Sequence, residues 1–183
     1  FESLCRMIEL LCSPDGLNIS HRNITVSTCG IVPKIYEFAD RNPQVTLAIS
    51  LHSPNDTMRK ELMPIAYKYS LSEVLPACKY YFEKTGRRLT IEYSLVQGVN
   101  DNLEEARALA ELIKDQHGHV NLIPVNPVKE RPYIQSSQKA ISRFKNLLEK
   151  NGINVTIRRE MGRDIDGACG QLRKSYMDTE KER

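Results

Sequence analysis

The spacing of apolar residues in this chain switches repeatedly between a helical period and short β-branched runs. Leu4, Met7, Ile8 and Leu11 recur at i, i+3, i+4 and i+7, and the turn Pro14-Asp15-Gly16 closes that helix. Ile24 to Thr28 reads as a strand, followed by Gly30 and a helix from Ile31 to Asp40 with Ile35, Tyr36 and Ala39 inward. Val45 to Leu51 is a second strand, closed by the polar run His52-Ser53-Pro54-Asn55-Asp56. Leu71, Val74, Leu75, Cys78, Tyr81 and Phe82 share one face of the next helix. Ser70 with Glu73 has capping-box spacing, and Gly86 is placed as a C-terminal stop. Pro76 is the misfit, marking either a kink or a later start.

The rhythm continues to the other end. Leu89 to Val96 is a third strand, ended by Gly98-Val99-Asn100-Asp101. Asn102 caps a helix with Glu104 and Glu105 in its first turn and Leu103, Ala106, Ala110 and Ile113 inward. Val120 to Pro124 is a fourth strand, and a loop through Pro127 and Pro132 leads to a helix from Ser137 to Lys150, stopped by Gly152. Ile153 to Ile157 is a fifth strand. Strands and helices alternating in this way predict parallel βα units and an α/β fold. The charged residues 176–183 are expected to form a disordered tail.

Composition narrows the class. The 183 residues are 40% hydrophobic and 27% charged, as in a soluble globular domain. No apolar stretch approaches the ~18 residues of a membrane span. A net charge of +3, from 26 basic and 23 acidic residues, permits a polyanionic partner without requiring one. The five cysteines stand at positions 5, 12, 29, 78 and 169, which excludes both a CxxC pair and a zinc finger. So odd and sparse a set fits a reducing compartment, and the cytoplasm is the expected location. No signal peptide is expected from these residues, and the chain opens at Phe1 within a helical pattern, as a piece of a longer protein would.

Parallel βα folds gather ligands at the carboxyl ends of their strands. The first strand ends in Ser27-Thr28-Cys29-Gly30, the second in Ser50-Leu51-His52, the third near Gln97 and Asn100, and the fourth in Pro124-Val125-Asn126-Pro127. Hydroxyl, imidazole and amide groups therefore share one rim, suited to a polar cofactor. Taken singly, each has a plainer reading: the hydroxyls as helix caps, His52 as a turn residue, Asn126 as a loop residue. Glu92 lies within the third strand, which is expected to be buried on both faces, so its carboxylate needs an arginine or a ligand. In the run Gly162 to Leu172, Cys169 has small neighbours (Gly167, Ala168, Gly170), with Arg163, Arg173 and Lys174 nearby. That setting suits a reactive cysteine, the alternative being an incidental loop residue. With Arg158 and Arg159 the same region suits a phosphate backbone or a solvated surface equally.

Five blocks carry a resemblance: ITVSTCGIVPKI (24–35), LAISLHSPNDTMRKELMPI (47–65), TIEYSLVQGVND (90–101), NLIPVNP (121–127) and DIDGACGQLR (164–173). In this order they resemble the radical S-adenosylmethionine (SAM) adenine methyltransferases of 23S rRNA and tRNA. The resemblance implies part of a (βα)6 barrel that binds SAM over a [4Fe–4S] cluster, supplied with electrons by a donor such as flavodoxin. It assigns Ser27, Ser50, Leu51, His52 and Asn126 to cofactor binding. Cys169 becomes the cysteine that is methylated before the carbon passes to C2 of a target adenine, or to C8 in the antibiotic-resistance relatives. The family's CxxxCxxC cluster motif, its Gly-Glu-Pro motif and its second catalytic cysteine are absent from these 183 residues. Residues 1–175 are therefore expected to be the C-terminal part of the catalytic domain, barrel strands three to six plus an extra strand, with no metal ligand of their own and no turnover alone. Two other readings are a non-catalytic truncated domain that binds RNA or protein, and an unrelated small-molecule enzyme on a βα barrel. The five blocks count against the second of these.

Overall fold

A computed structural model of the chain describes residues 1–41, 44–116, 118–126 and 132–159. The strands are β1 (Thr25–Thr28), β2 (Thr46–Ser50), β3 (Leu89–Leu95), β4 (Gly118–Pro124) and β5 (Asn154–Ile157). The helices are α1 (Glu2–Cys12), α2 (Val32–Arg41), α3 (Asp56–Leu62), α4 (Leu71–Thr85), α5 (Leu103–Ile113) and α6 (Gln138–Lys150). All strand pairs are parallel, and their order in the sheet is their order in the chain. Each crossover thus advances one strand in the same direction, which is the winding of a barrel rather than of a doubly wound sheet.

One face of the sheet is apolar. Leu47, Ile49 and Leu51 of the second strand region, Leu89, Ile91, Tyr93 and Leu95 of β3, and Val120 and Leu122 of β4 are buried in a core. Ile35 and Phe38 of α2, Val74 and Tyr81 of α4, Leu109 of α5 and Phe144 of α6 belong to the same core. Strand side chains alternate sides, so the opposite face carries Thr25, Ser27, Thr46, Ser50, Thr90, Glu92, Ser94, His119, Asn121 and Thr156. None of these is buried. The expectation that β3 is buried on both faces is therefore corrected: among the described residues helices cover one side only, and Glu92 sits half-buried on the other.

Local signals explain the helix starts. Ser70 and Glu73 form the expected capping box, with the Ser70 N–H donating to Glu73 Oε2 at 2.9 Å. Pro76 lies inside α4 on its exposed side, so it does not mark a later start. Gly86 ends the helix at φ 65°, a left-handed conformation that glycine adopts freely. Asn102 Oδ1 accepts from the Glu105 N–H at 2.8 Å at the start of α5. Helix α3 was not expected. It is capped by Asn55 Oδ1, which accepts from the Met58 N–H at 2.9 Å, and its Asp56 Oδ1 accepts from the Leu71 N–H at 2.8 Å, joining α3 to α4.

Candidate functional site

The register sets the rim. Ser50 is paired with Glu92, Glu92 with Asn121, and Asn121 with Thr156, so these four form one row across the sheet. Ser27 pairs with Ala48 and lies one layer toward the amino end on the same face. Among the described residues neither the Ser27 nor the Ser50 hydroxyl has a protein hydrogen-bond partner. Leu51 turns the other way. Its side chain is in the core, and its N–H donates to the Glu92 carbonyl at 3.0 Å. Asn126 follows β4, half-buried, beyond the Val125 N–H that donates to the Leu95 carbonyl at 3.2 Å. Ser27, Ser50, His52 and Asn126 thus share one edge of the sheet. Cys169, its loop and the charged tail lie outside the described residues.

His52 occupies left-handed backbone at φ 60°, a conformation that a residue with a Cβ adopts only when its surroundings hold it. Three contacts do so. Its Nδ1 accepts from the Ser94 N–H at 3.1 Å, its N–H faces the Glu92 carbonyl at 3.4 Å, and its carbonyl accepts from Asn100 Nδ2 at 2.8 Å. An accepting Nδ1 puts the ring proton on Nε2. Burial, reinforced by the positive charge of Arg59, pushes the imidazole down to about 4, so near neutrality His52 is an uncharged hydrogen-bond donor. Asn100 is buried and fully used: Nδ2 also donates to the Ser94 carbonyl at 2.7 Å, and Oδ1 accepts from the Val96 N–H at 2.8 Å. In sequence this residue was visible only as the end of a strand.

Behind the rim lies a buried cation. Arg59 is 0% exposed, donating from Nη1 to the Tyr69 carbonyl at 2.9 Å and from Nη2 to the Cys29 carbonyl at 3.0 Å. It ties the loop after β1 to the α3–α4 connection. Gly30 gives it room: at φ 98°, a Cβ there would stand 3.1 Å from Arg59 Nη2. Nothing in the sequence signalled this role, because arginine on a helix is ordinarily a surface residue.

The row across the sheet is hydrogen-bonded in one direction. Asn121 Nδ2 donates to Glu92 Oε2 at 2.9 Å, and the Thr156 hydroxyl donates to Asn121 Oδ1 at 3.0 Å. The same hydroxyl lies 2.9 Å from His119 Nε2. Since its one proton is engaged with Asn121, His119 Nε2 must donate to it. Burial holds His119 below the usual imidazole range, against the opposing pull of Glu92.

These residues suit a polar nucleoside cofactor: two hydroxyls without a partner among the described residues, a neutral imidazole donor and a carboxylate on one face of the sheet. They do not suit an iron–sulfur cluster. Among the described residues no three His, Cys, Asp or Glu side chains are grouped to hold a metal. Cys5 and Cys78 are core residues, and burial pushes the Cys78 thiol up to about 12, the wrong direction for a ligand.

No protein-family model matches the chain. Over 178 residues it is 64% identical to a probable dual-specificity RNA methyltransferase RlmN of Lachnospira eligens, covering 97% of the chain and 51% of that protein. Over 183 residues it is 57% identical to the protein of the same description from Clostridium botulinum, covering 53% of it. The chain is homologous to the RlmN methyltransferases. A radical SAM methyltransferase from Sphaerobacter thermophilus shares its fold with a TM-score of 0.89 and 45% identity, over 93% of the chain and 50% of that structure. A domain of a pyruvate-formate lyase-activating enzyme from Bacteroides vulgatus has the same fold at a TM-score of 0.65 and 19% identity. The chain spans about half the length of the curated RlmN relatives it matches.

Proposed function

We propose that this chain is the C-terminal part of a cytoplasmic radical SAM methyltransferase that modifies C2 of an adenine in 23S rRNA, and also in tRNA. The observation that carries the reading is 64% identity, across 97% of the chain, to a protein described as an RlmN RNA methyltransferase. The rim supports it with a donor set suited to the cofactor. Ser27 and Ser50 offer hydroxyls from adjacent strands, His52 an N–H held in one tautomer, and Asn126 a carboxamide from the end of β4. Leu51 contributes backbone alone, because its side chain is in the core.

When bound, SAM supplies an electrophilic methyl group and, with an electron delivered through a [4Fe–4S] cluster by a donor such as flavodoxin, the means to break a C–H bond. Ligands for the cluster come from outside this chain, whose 183 residues contain no CxxxCxxC spacing. Cys169 would accept the methyl group: a thiolate is the strong nucleophile that displacement from a sulfonium requires, with the neutral thioether S-adenosylhomocysteine as the leaving group. The test is mass spectrometry of 23S rRNA nucleosides from cells expressing the full-length protein or its Cys169→Ala variant. Expected are 2-methyladenosine with the first and none with the second. Formation of 8-methyladenosine, or undiminished methylation by Cys169→Ala, overturns the assignment.

A further inference from the structure

Among the described residues, the open face of the sheet holds a carboxylate without a counter-charge. Glu92 is half-buried in the middle of β3, and among the described residues no Lys, Arg or His nitrogen lies within the 4.0 Å of an ion pair. Its single protein donor among the described residues is a neutral amide, Asn121 Nδ2 at 2.9 Å, which occupies Oε2; none of those residues donates to Oε1. The amide is itself held: Thr156 donates to Asn121 Oδ1 at 3.0 Å, and His119 Nε2 stands 2.9 Å behind Thr156. Three side chains from two strands thus orient the carboxylate without neutralising it. A charge drawn part-way out of water calls for an opposite charge, and in this face the sheet supplies none. The register also puts Glu92 beside Ser50, one strand spacing away (~4.8 Å) on the same side. Glu92 therefore adjoins the rim and is not remote from it.

We propose that Glu92 is the counter-charge for a cationic ligand on this face. Resting on the function proposed above, the ligand is SAM, and Glu92 selects its sulfonium over the neutral sulfur of S-adenosylhomocysteine. The two molecules share an ammonium, a carboxylate and a ribose, so a carboxylate directed at any of those groups binds both alike. One set near the sulfur separates them by Coulomb attraction alone. Its pull ends once the methyl group has left, which favours exchange of spent cofactor for fresh. Asn121, Thr156 and His119 are positioning residues for this contact.

The experiment is calorimetric titration of the full-length protein, its cluster reconstituted under anaerobic conditions. Three ligands are compared: SAM, S-adenosylhomocysteine and sinefungin, which carries an amine-bearing carbon in place of the sulfonium. Glu92→Gln is expected to weaken SAM and sinefungin about tenfold while leaving S-adenosylhomocysteine within about twofold. Equal losses for all three ligands, or no loss for any, overturn the proposal. A wild-type protein that binds neither SAM nor S-adenosylhomocysteine instead defeats the function on which it rests. Should Glu92→Gln not fold, the wild type carries the test: added salt must weaken SAM more than S-adenosylhomocysteine, and an equal effect refutes the charge-selective contact.

Discussion

Asn100 Nδ2 donates to the carbonyl of His52 at 2.8 Å, joining the turn after β3 to the left-handed residue that ends the second strand region. The same carboxamide bonds the Ser94 carbonyl and the Val96 N–H, so one buried side chain sets the spacing of two rim segments. Asn100→Leu leaves three main-chain groups without partners in a buried place. The expected loss is about 3 kcal/mol of unfolding free energy, read by urea denaturation. Because His52 loses its anchor, cofactor affinity should fall in whatever fraction remains folded. An unchanged denaturation midpoint contradicts the role of Asn100 as a hub.

Arg59 makes a similar junction with two carbonyls 40 residues apart in sequence, Cys29 and Tyr69. A lysine offers one ammonium where the guanidinium offers a planar fork. Arg59→Lys is expected to lose about 2 kcal/mol, close to the loss in Arg59→Met, because neither residue spans both acceptors. Gly30→Ala should be destabilising by about 1–3 kcal/mol from its positive φ and the approach to Nη2. Full recovery of stability in Arg59→Lys would show that charge, and not the fork, is what matters.

These two junctions mark the limit of what the sequence disclosed. Strands and helices whose apolar residues face the core were legible, since burial imposes the period: of the six apolar residues α4 carried on one face, Leu71, Val74, Cys78 and Tyr81 are buried and Leu75 and Phe82 are half-buried at its margins. Helix α3 was missed because Arg59 takes the inward position, leaving no apolar period to detect. The rim was legible as a place, since strand ends follow from strand periodicity. Its partners were not. That Asn100 serves His52, or Asn121 serves Glu92, depends on register between segments tens of residues apart. The polar face of β3 was misjudged for a related reason. Its alternation of Thr90, Glu92 and Ser94 with Ile91, Tyr93 and Leu95 was present, but the general burial of parallel strands outweighed it.

Pro76 gives a prediction of opposite sign. It stands in α4 on the solvent side, where its ring nitrogen offers no hydrogen to the Ser72 carbonyl. Pro76→Ala restores that bond and removes the ring's clash with the preceding turn. The gain is partly offset by the greater freedom of the unfolded chain. A net stabilisation of about 1–2 kcal/mol is expected, seen as a raised urea midpoint with unchanged slope. A fall in stability would mean that the helix relies on a distortion at Pro76.

The imidazole of His52 predicts how stability depends on pH. Its pKa in the folded protein is about 4 against 6.5 for the unperturbed group, with burial the main cause. Between these values the unfolded chain binds the proton and the folded chain does not, so stability rises with pH across that window. The contribution is complete above about pH 6.5 and lost as pH falls toward 4, amounting to at most about 3 kcal/mol. His119 is shifted in the same direction by burial and adds to the slope. The lowered carboxyls of Glu2, Asp40 and Glu73 act at more acid pH, where those groups take up protons. Denaturation at pH 7 and pH 5 should therefore show a smaller difference for His52→Asn than for the wild type. A ring signal of His52 that titrates near pH 6.5 by NMR contradicts the buried, neutral imidazole, and with it the assignment of Nε2–H as a fixed donor at the rim.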